Sequence, residues 1–110
     1  MLGLNIEYVK GILFVRLKGR LTNETSYKVK DHLLPILKTN GIKYLVYNLY
    51  ELVGIDGSGI NSLNKSAKLI NNNKGSIYLC EIPENLESVL HAVKINKVLS
   101  ELNAIELCDV

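Results

Sequence analysis

The stretch LVYNLYELVGIDGSGINSL, residues 45–63, changes its hydrophobic period half-way along. Residues 43–49, KYLVYNL, form a nearly continuous apolar run after Gly41. That pattern belongs to a strand covered on both faces, and so to the middle of a sheet. GIDGSG at 54–59 then breaks the run as a turn, and beyond it Ile60, Leu63, Ala67 and Ile70 recur at three, four and three residues. Asn61, Asn64, Lys65, Lys68 and Asn71 fall on the other side, which makes this an amphipathic helix. Asn72, Asn73 and Gly75 close it, being residues that tolerate the left-handed backbone of a helix end. An apolar strand follows over Ser76–Ile82. Strand, helix and strand in this order form a right-handed crossover unit of a parallel sheet.

Working outward, Leu4, Ile6 and Tyr8 alternate up to Gly11, and Leu13, Val15 and Leu17 alternate up to Gly19. The first 21 residues therefore read as a hairpin of two strands. Thr22 or Asn23 can cap a helix reaching about residue 38, with Val29, Leu33, Ile36 and Leu37 on one face. Pro35 lies inside that helix and predicts a kink near Asp31 or an early end. Downstream, Pro83 suits the first turn of a helix whose face is Leu86, Val89, Leu90 and Val93. Ile95, Val98, Leu99 and Leu102 repeat the spacing, predicting a second short helix before a last short strand, AIEL, at 104–107. The expected fold class is α/β: one domain over residues 1–110, with a mixed four- or five-stranded sheet and helices packed on it.

A chain of 110 residues holds one core. Thirteen Lys and Arg against eleven Asp and Glu give a net charge of +2, with no dense basic cluster to track a phosphate backbone, so no direct nucleic-acid partner is expected. The N-terminal MLGLNIEYVKG lacks a basic segment followed by an apolar one, and no apolar run approaches 18 residues. The reading is a cytoplasmic protein with no membrane partner. Cys80 and Cys108 have neither CxxC spacing nor a neighbouring His, which suits buried, reduced thiols.

The inventory for catalysis is thin. His32 and His91 both fall on predicted helices with no nucleophile nearby, and neither has a partner at metal-ligand spacing, so neither an enzyme nor a cofactor is expected. Gly54, Gly57 and Gly59 read GxxGxG rather than the dinucleotide pattern GxGxxG, and no GK[ST] follows. Asp56 stands where a nucleophile elbow needs glycine two positions before Ser58. What remains is Ser58 itself, at the start of the best helix. It has two readings. As an N-cap its hydroxyl would accept a backbone N–H and contribute about 1 kcal/mol. As a modification site it has glycines on both sides that clear the hydroxyl for another protein. A phosphate there would carry about −2 charge to a helix start already close to Asp56.

The 45–63 stretch resembles the signature of the bacterial anti-sigma-factor antagonists, small STAS-domain proteins in which an apolar strand, Asn or Asp and Leu lead into Asp-Ser-Ser-Gly-Leu-Gly opening a helix. Gly19-Arg20-Leu21 resembles the family's Gly-Glu-Leu before its first helix, and Gly75 to Cys80 its Gly-Gly-hydrophobic strand. The resemblance implies that Ser58 is phosphorylated by a GHKL-type serine kinase that is itself the anti-sigma factor. The unphosphorylated protein would bind that kinase and free a sigma factor, and a PP2C-type phosphatase would reverse the modification. It also implies a partner-binding surface of Asp56, Gly57, Ser58, Gly59, Ile60 and Asn61 with Thr22 and Asn23, and it matches Asn48 to the family's central Asn or Asp. Gly57 replaces the family's first Ser, Ile60 its Leu and Asn61 its second Gly. Thr22 stands where Asp is common, which bears on kinase contact, and Lys94 where Gly precedes Leu. The abundance of Asn, Lys and Ile fits AT-rich codons and points toward sporulation or stress control. The alternative is a STAS module that is never phosphorylated and serves as a scaffold or ligand-responsive interaction domain.

Overall fold

The chain opens with β1 (Leu2–Val9) and β2 (Ile12–Leu21). Lys10 and Gly11 join them at φ of 49° and 85°, the doubly positive turn that matches the twist of antiparallel strands. β3 (Tyr44–Ile55), β4 (Ser76–Cys80) and β5 (Asn96–Val98) follow. In the computed structural model, which describes residues 1–108, the five strands make one sheet in chain order. β1 is antiparallel to β2, and every other pairing is parallel. The mixed sheet of the sequence reading is thus present, at its upper count.

Both faces of β3 are covered over residues 45–49, which is why that part of its sequence is a continuous apolar run. Leu45, Tyr47 and Leu49 enter the main core, with Leu33 and Leu37 of the first helix and Leu63, Ala67 and Ile70 of α2 (Gly57–Asn72). Val46 faces the other way into a smaller core with Ile12, Phe14, Tyr78 and Cys80, roofed by Ala104 of α4 (Glu101–Leu107) and by Cys108. Both cysteines are buried and unpaired. Two short helical pieces, a 3₁₀ turn at Glu84–Leu86 and α3 (Glu87–Leu90), link β4 to β5.

The first helix departs from the expected start. Thr22 and Asn23 are not helix caps: the Thr22 carbonyl accepts from the Thr25 and Ser26 N–H groups in a turn, and helix begins only at 27. The kink expected from Pro35 takes the form of a π-helical segment, Val29–Leu33, running into α1 (Leu34–Thr39) with Pro35 in its first turn. The wider π turn absorbs the missing N–H, since a proline in a regular turn would clash with the carbonyl four residues back.

The C-terminal end reverses the expected order. Residues 96–98 are strand β5 rather than a helix, and 104–107 belong to helix α4 rather than to a strand. Leu99 and Leu102 set the helical spacing in the sequence, yet they are 86% and 65% exposed. The residue that α4 buries is the small Ala104 instead, and its start is fixed by Ser100, whose Oγ accepts from the Asn103 N–H at 3.2 Å.

Candidate functional site

The site begins where β3 ends. At Ile55 the strand lies against Leu21, the last residue of β2, and the Asp56 N–H donates to the Leu21 carbonyl at 3.3 Å. Asp56 has an extended backbone, φ −116° and ψ −172°, which aims its carboxylate back at the helix that follows. One oxygen, Oδ2, accepts the Asn23 N–H at 2.9 Å, and the other, Oδ1, accepts the Gly59 N–H at 3.0 Å. These two bonds, Asn23 first, hold the Asp56 carboxyl below the usual carboxylate range. Asp56 is therefore the N-cap of α2, and the cap reading of Ser58 is corrected. Ser58 is already inside the helix, one residue past Gly57, and the Ile60 N–H two residues on already donates to the Asp56 carbonyl.

Relieved of capping, the half-buried Ser58 has one side-chain partner among the described residues: its Oγ donates to Asn23 Oδ1 at a long 3.4 Å. The flanking glycines serve different ends. A side chain on Gly57 would meet nothing within 4 Å, so the space beside Ser58 is open there. A side chain on Gly59 would strike the Leu21 carbonyl oxygen and come within 2.6 Å of Ile55 Cγ1. Gly59 thus lets α2 sit directly on the end of β2, while Gly57 demands no glycine.

The residues expected to form a surface are brought together around Ser58. Thr22 closes the turn beneath Asn23, its N–H donating to Thr25 Oγ1 at 2.9 Å, and Asn23 touches both Asp56 and Ser58. Ile60 is partly buried against the main core, and Asn61 is exposed on the first turn of α2. A groove of about 220 Å³ runs from Ser58 between the two helices, lined by Asn23, Tyr27, Lys30, Asn61, Ser62 and Lys65 among others. The sequence reading places Lys65 on the polar side of its helix without a role and does not name Tyr27 or Lys30. The one local signal was spacing on α2, where Lys65 follows Ser58 by seven residues, about two helical turns.

Asn48 stands elsewhere. It lies on the α4 side of β3, opposite Arg16 of β2 and Cys80 of β4. Its Nδ2 donates to Glu81 Oε2 at 2.7 Å and to Glu101 Oε2 at 2.9 Å, and its Oδ1 accepts the Tyr50 N–H. Arg16 clasps the same Glu101 through Nε and Nη2 at 2.8 and 2.9 Å, and reaches Asn5 and Glu7 through Nη1. This paired, planar contact holds the Glu101 carboxyl low and ties α4 to the sheet. His32 and His91 are both exposed and neither lines the groove at Ser58. Among the described residues no helix is long and apolar enough to cross a membrane, and no group of three metal-ligating side chains gathers.

Comparison with known proteins gives the same frame. A curated relative, the anti-sigma F factor antagonist of Paenibacillus polymyxa, is 26% identical over 113 residues, covering 99% of this chain and 97% of its own. The solved structure of the anti-sigma factor antagonist SpoIIAA in its unphosphorylated form superposes with a TM-score of 0.78 at 16% identity, covering 94% of this chain and 96% of that one. The phosphorylated form of the Bacillus cell fate determinant SpoIIAA gives a TM-score of 0.75 at 15% identity over 94% and 97% of the two chains. At such identities the likeness is one of fold. The STAS domain family model matches residues 4–106, nearly the whole chain, and this protein therefore belongs to the STAS domain family.

Proposed function

We propose that this chain is an anti-sigma-factor antagonist whose unphosphorylated form binds a GHKL-type serine kinase acting as the anti-sigma factor, and that Ser58 is the phosphoacceptor. The observation that carries the reading is the division of labour at the turn. Asp56 takes the capping role, which leaves the Ser58 hydroxyl partly exposed, weakly held at 3.4 Å, and beside open space at Gly57. The name of the Paenibacillus polymyxa relative supports the same role. In the transfer, Ser58 Oγ attacks the γ-phosphorus of ATP, the bond from that phosphorus to the ADP oxygen breaks, and the hydroxyl proton leaves to a base of the kinase. A PP2C-type phosphatase would hydrolyse the ester and restore the hydroxyl. The two added charges lie beside the Asp56 carboxylate on the face that meets the kinase, which weakens the complex.

The test is incubation of the protein with candidate GHKL kinases of its source organism and ATP, read by intact mass and peptide mapping. One phosphate at Ser58 is expected, and Ser58→Ala should stay bound to the kinase in ATP while wild type is released. Phosphate only at Ser62 or Ser66 overturns the assignment. Identical release of both proteins, or no binding by either, favours the unphosphorylated scaffold reading.

A further inference from the structure

We infer that the groove between the first helix and α2 is an internal receptor for the phosphoryl group on Ser58, with Lys30 and Lys65 as its cations. The inference rests on the proposed modification of Ser58 and goes beyond it by assigning where the phosphate is held. Ser58 and Asn23 form the upper rim of the 220 Å³ groove, and Lys30 and Lys65 stand in its two walls. Neither lysine's ammonium group makes a hydrogen bond or ion pair with another described residue, whereas those of Lys28 and Lys97 are tied to carbonyl oxygens. No carboxylate lines the groove, so the two cations share it with mostly polar side chains and no anion in its lining.

Helical side chains lean toward the N-terminus of their helix, and a lysine carries its charge on a flexible four-carbon stem. Lys65 lies about two turns past Ser58 and Lys30 is the fourth residue of its helix, so both stems lean back toward the Ser58 end of the groove. A phosphoserine dianion there would draw them up, with the Asn61 and Asn23 side chains offering further polar contact. Phosphorylation in this arrangement does more than add charge near Asp56. It fills a cationic groove that the unphosphorylated protein presents open to a partner. Lys30 and Lys65 are positioning residues for the phosphate and take no part in its transfer.

The test uses the full chain with phosphoserine encoded genetically at position 58, so that no kinase is needed, and ³¹P NMR to follow its second ionisation, normally near pH 6. Lys30 and Lys65 are the charged residues that line the groove, Tyr27 is its other titratable one, Asp56 is bound to the lining residue Asn23, and Lys28 and Asp31 flank Lys30 in the chain; the double variant Lys30→Gln, Lys65→Gln changes only the two lysines. A control pair, Lys38→Gln with Lys74→Gln, removes the same charge at the far ends of the two helices. At low salt the Lys30/Lys65 variant should raise the phosphoserine pKa by about half a unit to one unit, the size expected of two cations several ångströms away in a wet groove. The control should leave it in place, and salt at about 1 M should erase the difference. An unchanged pKa in the Lys30/Lys65 variant, or equal shifts in both pairs, overturns the receptor. Failure of every kinase to label Ser58 would instead overturn the proposed function, and the NMR result does not depend on it.

Discussion

Alanine at Gly59 and alanine at Gly57 make the same chemical change two residues apart and are expected to move stability in opposite directions. A methyl group on Gly59 would collide with the Leu21 carbonyl oxygen, approach Ile55 Cγ1 to 2.6 Å and Leu21 Cγ to 3.0 Å. The carbonyl belongs to backbone fixed by the pairing of Leu21 with Ile55 and by the Asp56 N–H, so the whole turn must withdraw to make room. Overpacking of this kind costs about 1–3 kcal/mol. The better helix propensity of alanine offsets at most about 1 kcal/mol of it, leaving a net loss of up to about 2 kcal/mol when the offset is complete. A methyl group on Gly57 meets nothing, so there the propensity and the reduced freedom of the unfolded chain act alone and stabilise by about 0.4–1 kcal/mol. Urea unfolding followed by circular dichroism at pH 7 separates the two. With a slope of about 2 kcal/mol per molar, Gly59→Ala should lower the midpoint by up to roughly 1 M and Gly57→Ala should raise it. A Gly59→Ala midpoint at or above wild type would refute the tight seating of α2 on β2. Equal shifts of the same sign would show that propensity, not the close approach, governs both sites.

Because Asp56 and not Ser58 caps α2, Ser58→Ala should change stability by no more than about 0.5 kcal/mol, whereas Asp56→Ala should lower the urea midpoint clearly; a large loss in Ser58→Ala alone would restore the serine as the cap. The Glu101 carboxyl is held low, first by its hydrogen bonds from Arg16, so its contribution is present above the ordinary glutamate value of about 4.3 and is lost as pH falls through the lower folded value. Glu101→Gln should accordingly flatten the acid limb of a stability profile, and an unchanged limb counts against the clasp. Burial pushes the Cys80 thiol up to about 12, so Ellman's reagent at pH 8 should leave it unlabelled in the native protein and label it on unfolding; rapid native labelling would show that the smaller core is open.

Much of this was readable before any coordinates. The apolar run into Leu49 and the spacing from Ile60 to Ile70 each report a burial pattern, and in each the residues that set the pattern lie in a core or packed against it. The C-terminal end misled because that correspondence fails there: Leu99 and Leu102 are apolar and exposed, while α4 buries Ala104, too small to stand out. The cap at α2 was ambiguous for another reason. Asp56 and Ser58 are both good capping residues, and the choice is made by the Asn23 N–H, which lies 33 residues away in the chain. The groove residues Lys30 and Lys65 were visible only as solvent-facing positions on separate helices, since no local pattern says that the two helices lie side by side.

The unequal lengths of the central strands have a mechanical consequence. β3 pairs with β4 only as far as Asn48 and Cys80, yet it continues to Ile55, paired along that last stretch with β2 alone. Tyr50 and Val53 on this projecting length are 73% and 57% exposed. The strand is in effect a cantilever, clamped at its root by neighbours on both sides and carrying the Ser58 turn at its tip. A load applied at the tip, such as a partner pressing against it, bends the outer segment before it reaches the three-strand root. Amide exchange should follow the same gradient, slow up to Leu49 and faster toward Gly54, which gives the turn compliance while the sheet beneath it stays fixed.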